Sequence, residues 1–562
     1  MATTSTPPAA PSSPPLAKRT GSGRSSFDAI VVGGGHNGLT TAAYLARAGL
    51  DVCVLERREI LGGACVTEEV WPGKRVSRAS YVVSMLQPKV VADLELSRYG
   101  YRAIPLDPAY VALTEQGPIF FHNDAAGTAA SISKYSRADA EAYEPFEELM
   151  FRAAKFVRPL MLKAPPAPGS RAPADLAALL REAGRIGGMS KREIHELVRM
   201  FTISVGDLLD DYFELDGLKG SMASTGVVGV WAGPRTPGTA YNLLHHALGE
   251  LDGIEGAWGQ VIGGMGAISE AIAHSAEAAG AEIRTESEVA SINVRDGRTT
   301  GVTLAGGDTI NAPIVASGAH PKTTILDLAG AEHFPDEVAD DMRRYRTRGG
   351  SVKINMILSE PPRYENVSEE EQTMMMSAGV NLCPSIDYLE RAWQDATLGK
   401  PAEHPYVEAE LPSQVDSSLT DDGSWVMTMF TQYGPPGDEA WAGDARDRYA
   451  DACIEHLARY APNVPGAITE REVLAPPDLE RIYGLVDGSI FQGEQDLAQM
   501  AFMRPSPHLA QYSTPVHGLY LCGAGTHPGG GVMAASGHNA AQRILRDRRG
   551  LRGRLRRRAA AR

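Results

Sequence analysis

Residues Phe27–Gly63 leave this chain little choice of fold. An apolar run, Ala29–Val32, leads into Gly33-x-Gly35-x-x-Gly38, and Leu39–Ala48 then carries apolar side chains at helical spacing. Gly49 closes that helix, and Val52–Leu55 is a second apolar run ending on Glu56. Short apolar runs without alternation suit strands covered on both faces, as in a parallel sheet. Strand, glycine turn, helix and strand in that order make a dinucleotide-binding unit. Gly33 allows the tight turn, Gly35 lets the backbone approach a pyrophosphate, and Gly38 lets the helix lie close to the strand. The helix N-terminus presents free N–H groups and partial positive charge. Val32, Gly33, Gly34, Gly35, His36, Asn37 and Gly38 are therefore expected to cradle the diphosphate. Glu56 falls eighteen residues after Gly38, where a carboxylate can accept from both hydroxyls of an adenosine ribose.

Two further features favour FAD over NAD. Arg57 and the pair Gly62-Gly63 follow Glu56 as a second loop of close approach, which a nucleotide reaching across the domain needs. Far downstream, Gly518–Met533 reads as a strand over Leu519–Cys522, a glycine turn, and a helix starting near Gly530. Gly523, Gly530, Gly531 and Val532 are expected at the flavin. A helix N-terminus aimed at the ring would stabilise the negative charge of the reduced form.

These segments resemble the pyridine nucleotide-disulfide oxidoreductase domain-containing protein 2 family, within the flavoprotein superfamily of phytoene desaturases and amine oxidases. The resemblance rests on GGACVTEEVWPG (62–73), SRASYVVSMLQP (77–88), AGPRTPGTAYNLLHHALG (232–249), GAWGQVIGGMGAISEAI (256–272), APPDLERIYGL (475–485) and LYLCGAGTHPGGGVMAASG (519–537), in that order. It implies an α/β fold: a Rossmann-like FAD-binding domain of the GR2, amine-oxidase type, interleaved with a mixed α+β substrate domain. The expected division is 27–100, 256–330 and 479–545 for FAD, and 101–255 with 331–478 for the substrate domain. It also implies that Val289 meets the adenine through its backbone, and that the helical stretch 136–215 governs substrate access.

Composition bounds the rest. No run reaches the eighteen or so apolar residues of a membrane span. Five cysteines with no C-x-x-C argue against a disulfide framework, a zinc site or a redox dithiol, despite the family's name. The net charge is −15; the first 27 residues carry +3 and the last twenty +9, so the body carries −27. That excludes nucleic acid as a main partner and leaves peripheral membrane contact and a homo-oligomer open. Residues 1–26, rich in Pro, Ser and Thr, are expected to be a disordered tail, and 546–562 a basic one. Five prolines within the first fifteen residues oppose the amphipathic helix of a transit peptide, which favours a cytoplasmic protein over one of an organelle matrix.

The reading that follows is an FAD-dependent oxidoreductase taking a hydride from a small apolar organic substrate, with oxygen, a quinone or a protein as electron acceptor. A carotenoid-type polyene enzyme and an FAD-holding interaction protein are the alternatives. No metal is expected. The flavin does the redox chemistry, so no hydrolytic triad is required. His527, just before the glycines at the flavin edge, is the first candidate for a catalytic residue. His245 and His246 sit about 100° apart on a helix, so only one can face a pocket. Arg504 and His508 are further candidates, and Cys65 reads as a packed small residue. Gly263–Gly266 reads as a helix start, because no acid-ended strand follows it. Tyr241, Trp231 and Trp258 are candidate cavity walls.

Overall fold

The computed structural model describes residues 19, 21–167, 169 and 173–560. A five-stranded sheet, parallel throughout, forms its organising layer. The strand order is Glu282–Arg284, Val52–Leu55, Ala29–Val32, Val315–Ser317, Leu519–Leu521. All but the first strand are buried at every position, as their unbroken apolar runs require. The helix His36–Arg47 lies on this sheet between two others, Gly266–Ala278 and Ala535–Ala560. Alanines at 42, 43, 46, 271, 540 and 541 let the three axes approach. Gly263–Gly266 is indeed a helix start: the Met265 and Gly266 N–H groups donate to Ser77 Oγ and Thr67 Oγ1, both at 2.9 Å. A meander of Val289–Arg295, Arg298–Leu304 and Thr309–Asn311 turns at Asp296-Gly297 and returns the chain to the sheet.

A second sheet of seven strands faces the first. Its order is Ile468–Leu474, Ser351–Leu358, Trp425–Gln432, Tyr406–Glu410, Gly379–Leu382, Tyr110–Thr114, Gly117–Phe121. The helices Arg137–Val157, Lys191–Thr202, Val205–Asp210, Asp216–Thr225 and Ala240–His246 share its apolar core. Neighbours run antiparallel except Gly379–Leu382 beside Tyr110–Thr114. The strands at 351–358 and 425–432 match the sequence pattern closely. Those at 379–382, 406–410 and 468–474 do not announce themselves, since Asn381, Glu408, Glu410, Glu470, Arg471 and Glu472 interrupt any apolar period.

Both ends differ from expectation. Residues 1–18 and 20 lie outside the described residues, but 19 and 21–26 are not a free tail. Arg19 pairs with Glu270 and Glu277, and Arg24 with Asp51 and Glu282. Phe27 N–H continues the run by bonding to Asn311 O at 3.0 Å. At the other end the last helix runs unbroken to Ala560, so 546–560 extend it. Among the described residues, no helix is long and apolar enough to cross a membrane.

The N-terminal strap is expected to release in acid. Partial burial raises the Glu282 carboxyl, but bonds from the Ser22 hydroxyl and N–H, at 2.7 and 2.8 Å, and from Arg284 outweigh that and hold it at about 2. A depressed carboxyl contributes stability that is fully present above its unfolded value near 4.5 and fades as pH falls towards about 2. Amide exchange at residues 21–26, corrected for intrinsic rate, should accelerate across that window. Glu282→Gln should show the fast exchange already at pH 7.

Candidate active site

A cavity of about 420 Å³ runs from the first glycine loop to the inner face of the seven-stranded sheet. Its floor is built where glycine is compulsory. Gly33 has φ +93°, and a Cβ on Gly38 would sit 2.2 Å from Gly33 O. Gly62 has φ +113°, and its Cβ would sit 2.2 Å from Cys65 O. Gly35 is different: a Cβ there would meet only Gly62 O, at 3.8 Å, and would otherwise project into open cavity. Gly62 N–H bonds Gly34 O at 2.8 Å, so the two loops form one cradle.

The distant C-terminal segment completes it. Strand Leu519–Leu521 lies beside Val315–Ser317, which brings Gly523, Gly530, Gly531 and Val532 to the wall of the same cavity as Gly33 and Gly35. Gly537 N–H bonds Asn37 Oδ1 at 3.3 Å, and Thr41 Oγ1 donates to Gly537 O at 3.1 Å. The helix, however, starts at Ala535 and not near Gly530, because Gly529, Gly531, Val532 and Ala534 all have positive φ. No helix N-terminus begins at Gly530.

Val32, Gly33, Gly35, His36, Asn37, Gly38, Glu56, Arg57, Gly62, Gly63 and Val289 line the cavity. Gly34 does not. Its N–H is turned to Glu56 Oε2 at 2.7 Å, and Glu56 Oε1 takes the Arg58 N–H at 2.9 Å. The loop therefore orients the carboxylate it was expected to stand beside. Burial holds His36 neutral, with its pKa lowered to about 4. His320, which sequence reasoning missed, is buried on the same wall. Its Nδ1 accepts from Lys322 N–H at 3.1 Å, which leaves the proton on Nε2, and the Gln492 backbone interacts with the ring. A cradle of bare backbone, an open face at Gly35 and a fixed acid at Glu56 fit a dinucleotide whose diphosphate crosses the loop.

The proposed catalytic residues separate. The His527 ring is turned out of the cavity, with Nε2 3.1 Å from Leu160 O. Its place is fixed by Tyr512 and Ser536, which both donate to its carbonyl. Arg504 is fully buried behind the wall, and its guanidinium donates to the carbonyls of Phe491, Gly493, Glu494, Gln499 and Ala524. It ties irregular chain together and does not reach the cavity. His508 pairs with Asp341 and Glu337 at the surface. Of the histidine pair, His246 faces the cavity, stacked on Trp258 with centroids 5.5 Å apart, and among the described residues neither of its ring nitrogens has a hydrogen-bond partner. His245 Nε2 sits 3.4 Å from Gly530 O. Cys65 lines the cavity but donates to Met265 O at 3.2 Å, and burial pushes its pKa up to about 12, as for a packed thiol. Tyr241 stacks on Phe201 and Trp231 packs on Trp393, so Trp258 alone of the three aromatics lines the cavity.

The seven-stranded sheet supplies the part that sequence reasoning missed. Alternate residues of a strand share a face. Pairing places Lys353, Phe430, Glu408 and Asn381 in one row, with Asn355, Thr428 and Glu410 in the next. The Lys353 ammonium lies 4.2 Å from the Tyr81 ring centroid and bonds Thr428 Oγ1. Tyr81 OH donates to Glu408 Oε1 at 2.9 Å, and Gln260 Nε2 to Glu410 Oε2 at 2.5 Å. Burial pushes Lys353 down to about 7 and both carboxyls up. The signal was present: a lysine in the middle of SVKINMIL is a charge in a strand that must be buried.

The sequence profile of the family described as flavin containing amine oxidoreductase matches residues 38–545. A rat protein, pyridine nucleotide-disulfide oxidoreductase domain-containing protein 2, is 38% identical over 554 residues, covering 93% of this chain and 94% of its own. One of the chains of the limonene dehydrogenase of Castellaniella defragrans is 26% identical over 92% of this chain and 94% of its own. Among solved structures, a putrescine oxidase bound to putrescine shares the fold, with a TM-score of 0.58, 16% identity, and 93% and 98% of the two chains covered.

Proposed function

The chain belongs to the flavin-containing amine oxidoreductase family and is an FAD-dependent oxidoreductase; from that premise we propose that it removes two electrons, as a hydride, from an organic molecule with an apolar body. Bound FAD supplies the hydride acceptor. The protein's own residues bind, orient and exclude water. Gly33, Gly35, Gly38, Gly62 and Gly63 would hold the diphosphate, and Glu56 would accept from the ribose. Tyr81, Met85, Tyr110, Trp258 and Phe430 form the apolar walls of the chamber beyond them. Loss of a hydride leaves a proton to be removed, and Lys353 Nζ, whose pKa burial lowers to about 7, is placed to take it. The observation that carries this reading is the continuity of one cavity from the glycine loop to a buried lysine that faces Glu408 and Glu410 and, among the described residues, touches no carboxylate. Such a group has little structural use in a protein that merely holds FAD. The name of the limonene-acting relative supports an apolar body.

The electron acceptor is read as oxygen, a quinone or another protein. Anaerobic photoreduction of the purified flavoprotein, followed by reoxidation with air, a quinone analogue and a redox protein, tests this. We expect full reduction and reoxidation by at least one of them, and a substrate screen under the same conditions should bleach the flavin. A flavin that no donor reduces would defeat the proposal. Lys353→Met should slow substrate-driven bleaching by about 100-fold or more while leaving flavin occupancy unchanged.

A further inference from the structure

A lysine on a flexible four-carbon stem needs more than burial to act as a base: its lone pair must be aimed. The seven-stranded sheet supplies the aim. Asn355 stands across from Thr428 on the neighbouring strand, two residues along from Lys353 and on the same face. Thr428 Oγ1 donates its one proton to Asn355 Oδ1 at 2.9 Å. Toward Lys353 that oxygen can therefore only accept, so Nζ is always the donor in the bond between them. Asn355 cannot turn over, because its Nδ2 donates to Arg78 O at 3.1 Å, and a carbonyl only accepts. All three side chains are buried. Arg78 is itself locked by Glu472 at 2.5 Å and by Glu68 at 3.1 Å, and Glu68 also pairs with Arg58 at 2.7 Å. The Arg58 N–H donates to Glu56. A continuous run of bonds thus joins Glu56 to Nζ through Arg58, Glu68, Arg78, Asn355 and Thr428. The other groups that face Nζ do not orient it in this way. Glu410 and Glu408 act on its charge from the strand beyond Thr428, and Tyr81 offers a ring face 4.2 Å from it.

We propose that Thr428 and Asn355 are positioning residues for Lys353: by taking one N–H of the amine they keep its lone pair off the sheet, free for the chamber that Lys353 lines. This rests on the reading above that Lys353 is the base. Of the four tetrahedral directions about Nζ, one is Cε and one is the bond to Thr428. In the neutral amine the lone pair therefore falls on one of the other two. Without Thr428 the amine would turn among all its orientations, and fewer encounters would find the lone pair aimed at the substrate. The run of bonds to Glu56 sets this aim in the same frame that would hold the cofactor.

The test uses the FAD-loaded protein and a readout that needs no turnover. Acetic anhydride acylates the neutral amine, and mass spectrometry of the peptide that holds Lys353, across a range of pH, gives the midpoint of its titration, expected near 7. Thr428→Val keeps the shape and removes the acceptor. A hydrogen bond from an ammonium is stronger than one from an amine, so its loss should move the midpoint down by about half a pH unit or more. Thr428→Ser should restore it. With any donor that bleaches the flavin of the unsubstituted protein, the acidic limb of the rate profile should move down alongside the midpoint. The plateau above that limb should fall about tenfold or more in Thr428→Val, at unchanged KM, flavin occupancy and melting temperature. Asn355→Leu, which frees the Thr428 proton, should lower the plateau too. Thr428→Ala carries the test if the valine variant does not fold. An unmoved midpoint in Thr428→Val, or a serine variant no better than the valine one, would overturn the proposal. If no donor bleaches the flavin, or if Lys353→Met bleaches at the full rate, the base reading fails, and the midpoint alone decides whether Thr428 holds the amine.

Discussion

Replacing Gly35 with leucine should give a folded protein without flavin. Gly35 has φ −69° and ψ 160°, which any L-residue can adopt, and its Cβ would touch nothing closer than 3.8 Å. The fold therefore tolerates a side chain there. The cofactor does not, because that side chain projects where the diphosphate must approach the backbone. The expected loss of FAD affinity is at least ~100-fold, or about 3 kcal/mol, with a melting temperature close to that of the unsubstituted apoprotein. The visible spectrum and heat release of bound flavin measure the first, and a thermal melt the second. Gly38→Ala makes the contrast. Its Cβ would lie 2.2 Å from Gly33 O, so that variant should lose stability as well as colour. A Gly35→Leu protein with full flavin occupancy would mean that the diphosphate lies elsewhere.

Arg504→Met is expected to be among the most destabilising single changes in the molecule. The side chain is 0% exposed and donates to five backbone carbonyls, four of them in segments without regular structure and the fifth at the end of the short helix Leu497–Gln499. Methionine keeps the bulk and removes every donor. Each buried acceptor left unsatisfied costs about 1–3 kcal/mol, and even with partial relaxation the sum should exceed about 3 kcal/mol. Urea denaturation should show the midpoint collapsing while m stays unchanged. Arg504→Lys should restore little, because an ammonium cannot reproduce the planar fork. A variant with an unchanged midpoint and lost turnover would return Arg504 to the chemistry.

The glycine segments were legible because their constraint is steric and local. Gly33, Gly38 and Gly62 each occupy a place where a side chain would meet strain or backbone, and such places leave fixed spacings in a sequence. The two apolar strand runs were legible for the same reason: burial on both faces permits one kind of residue. The polar row was not, because it is assembled by register between strands that are far apart in the chain. Nothing near Glu408 says that Phe430 and Lys353 lie across from it. His527 misled because closeness in sequence to the glycine turn was read as closeness to the ring. Rotation about one side chain sends it to Leu160 instead. The helix at Gly530 misled because Gly-Gly-Gly-Val-Met has helical neighbours, while positive φ at Val532 and Ala534 postpones the first helical turn to Ala535.

The edge strand Leu519–Leu521 has a bearing on how the molecule is made. The ribosome delivers the first strand and its glycine turn some 480 residues before the segment that shuts the cofactor's far side. Until Gly523–Val532 has emerged, the nascent chain holds half a socket, with the edge of Val315–Ser317 unpaired. Flavin capture must therefore wait until that segment has been made, and a chain broken off before Gly523 would be unable to retain the vitamin-derived group it was built around.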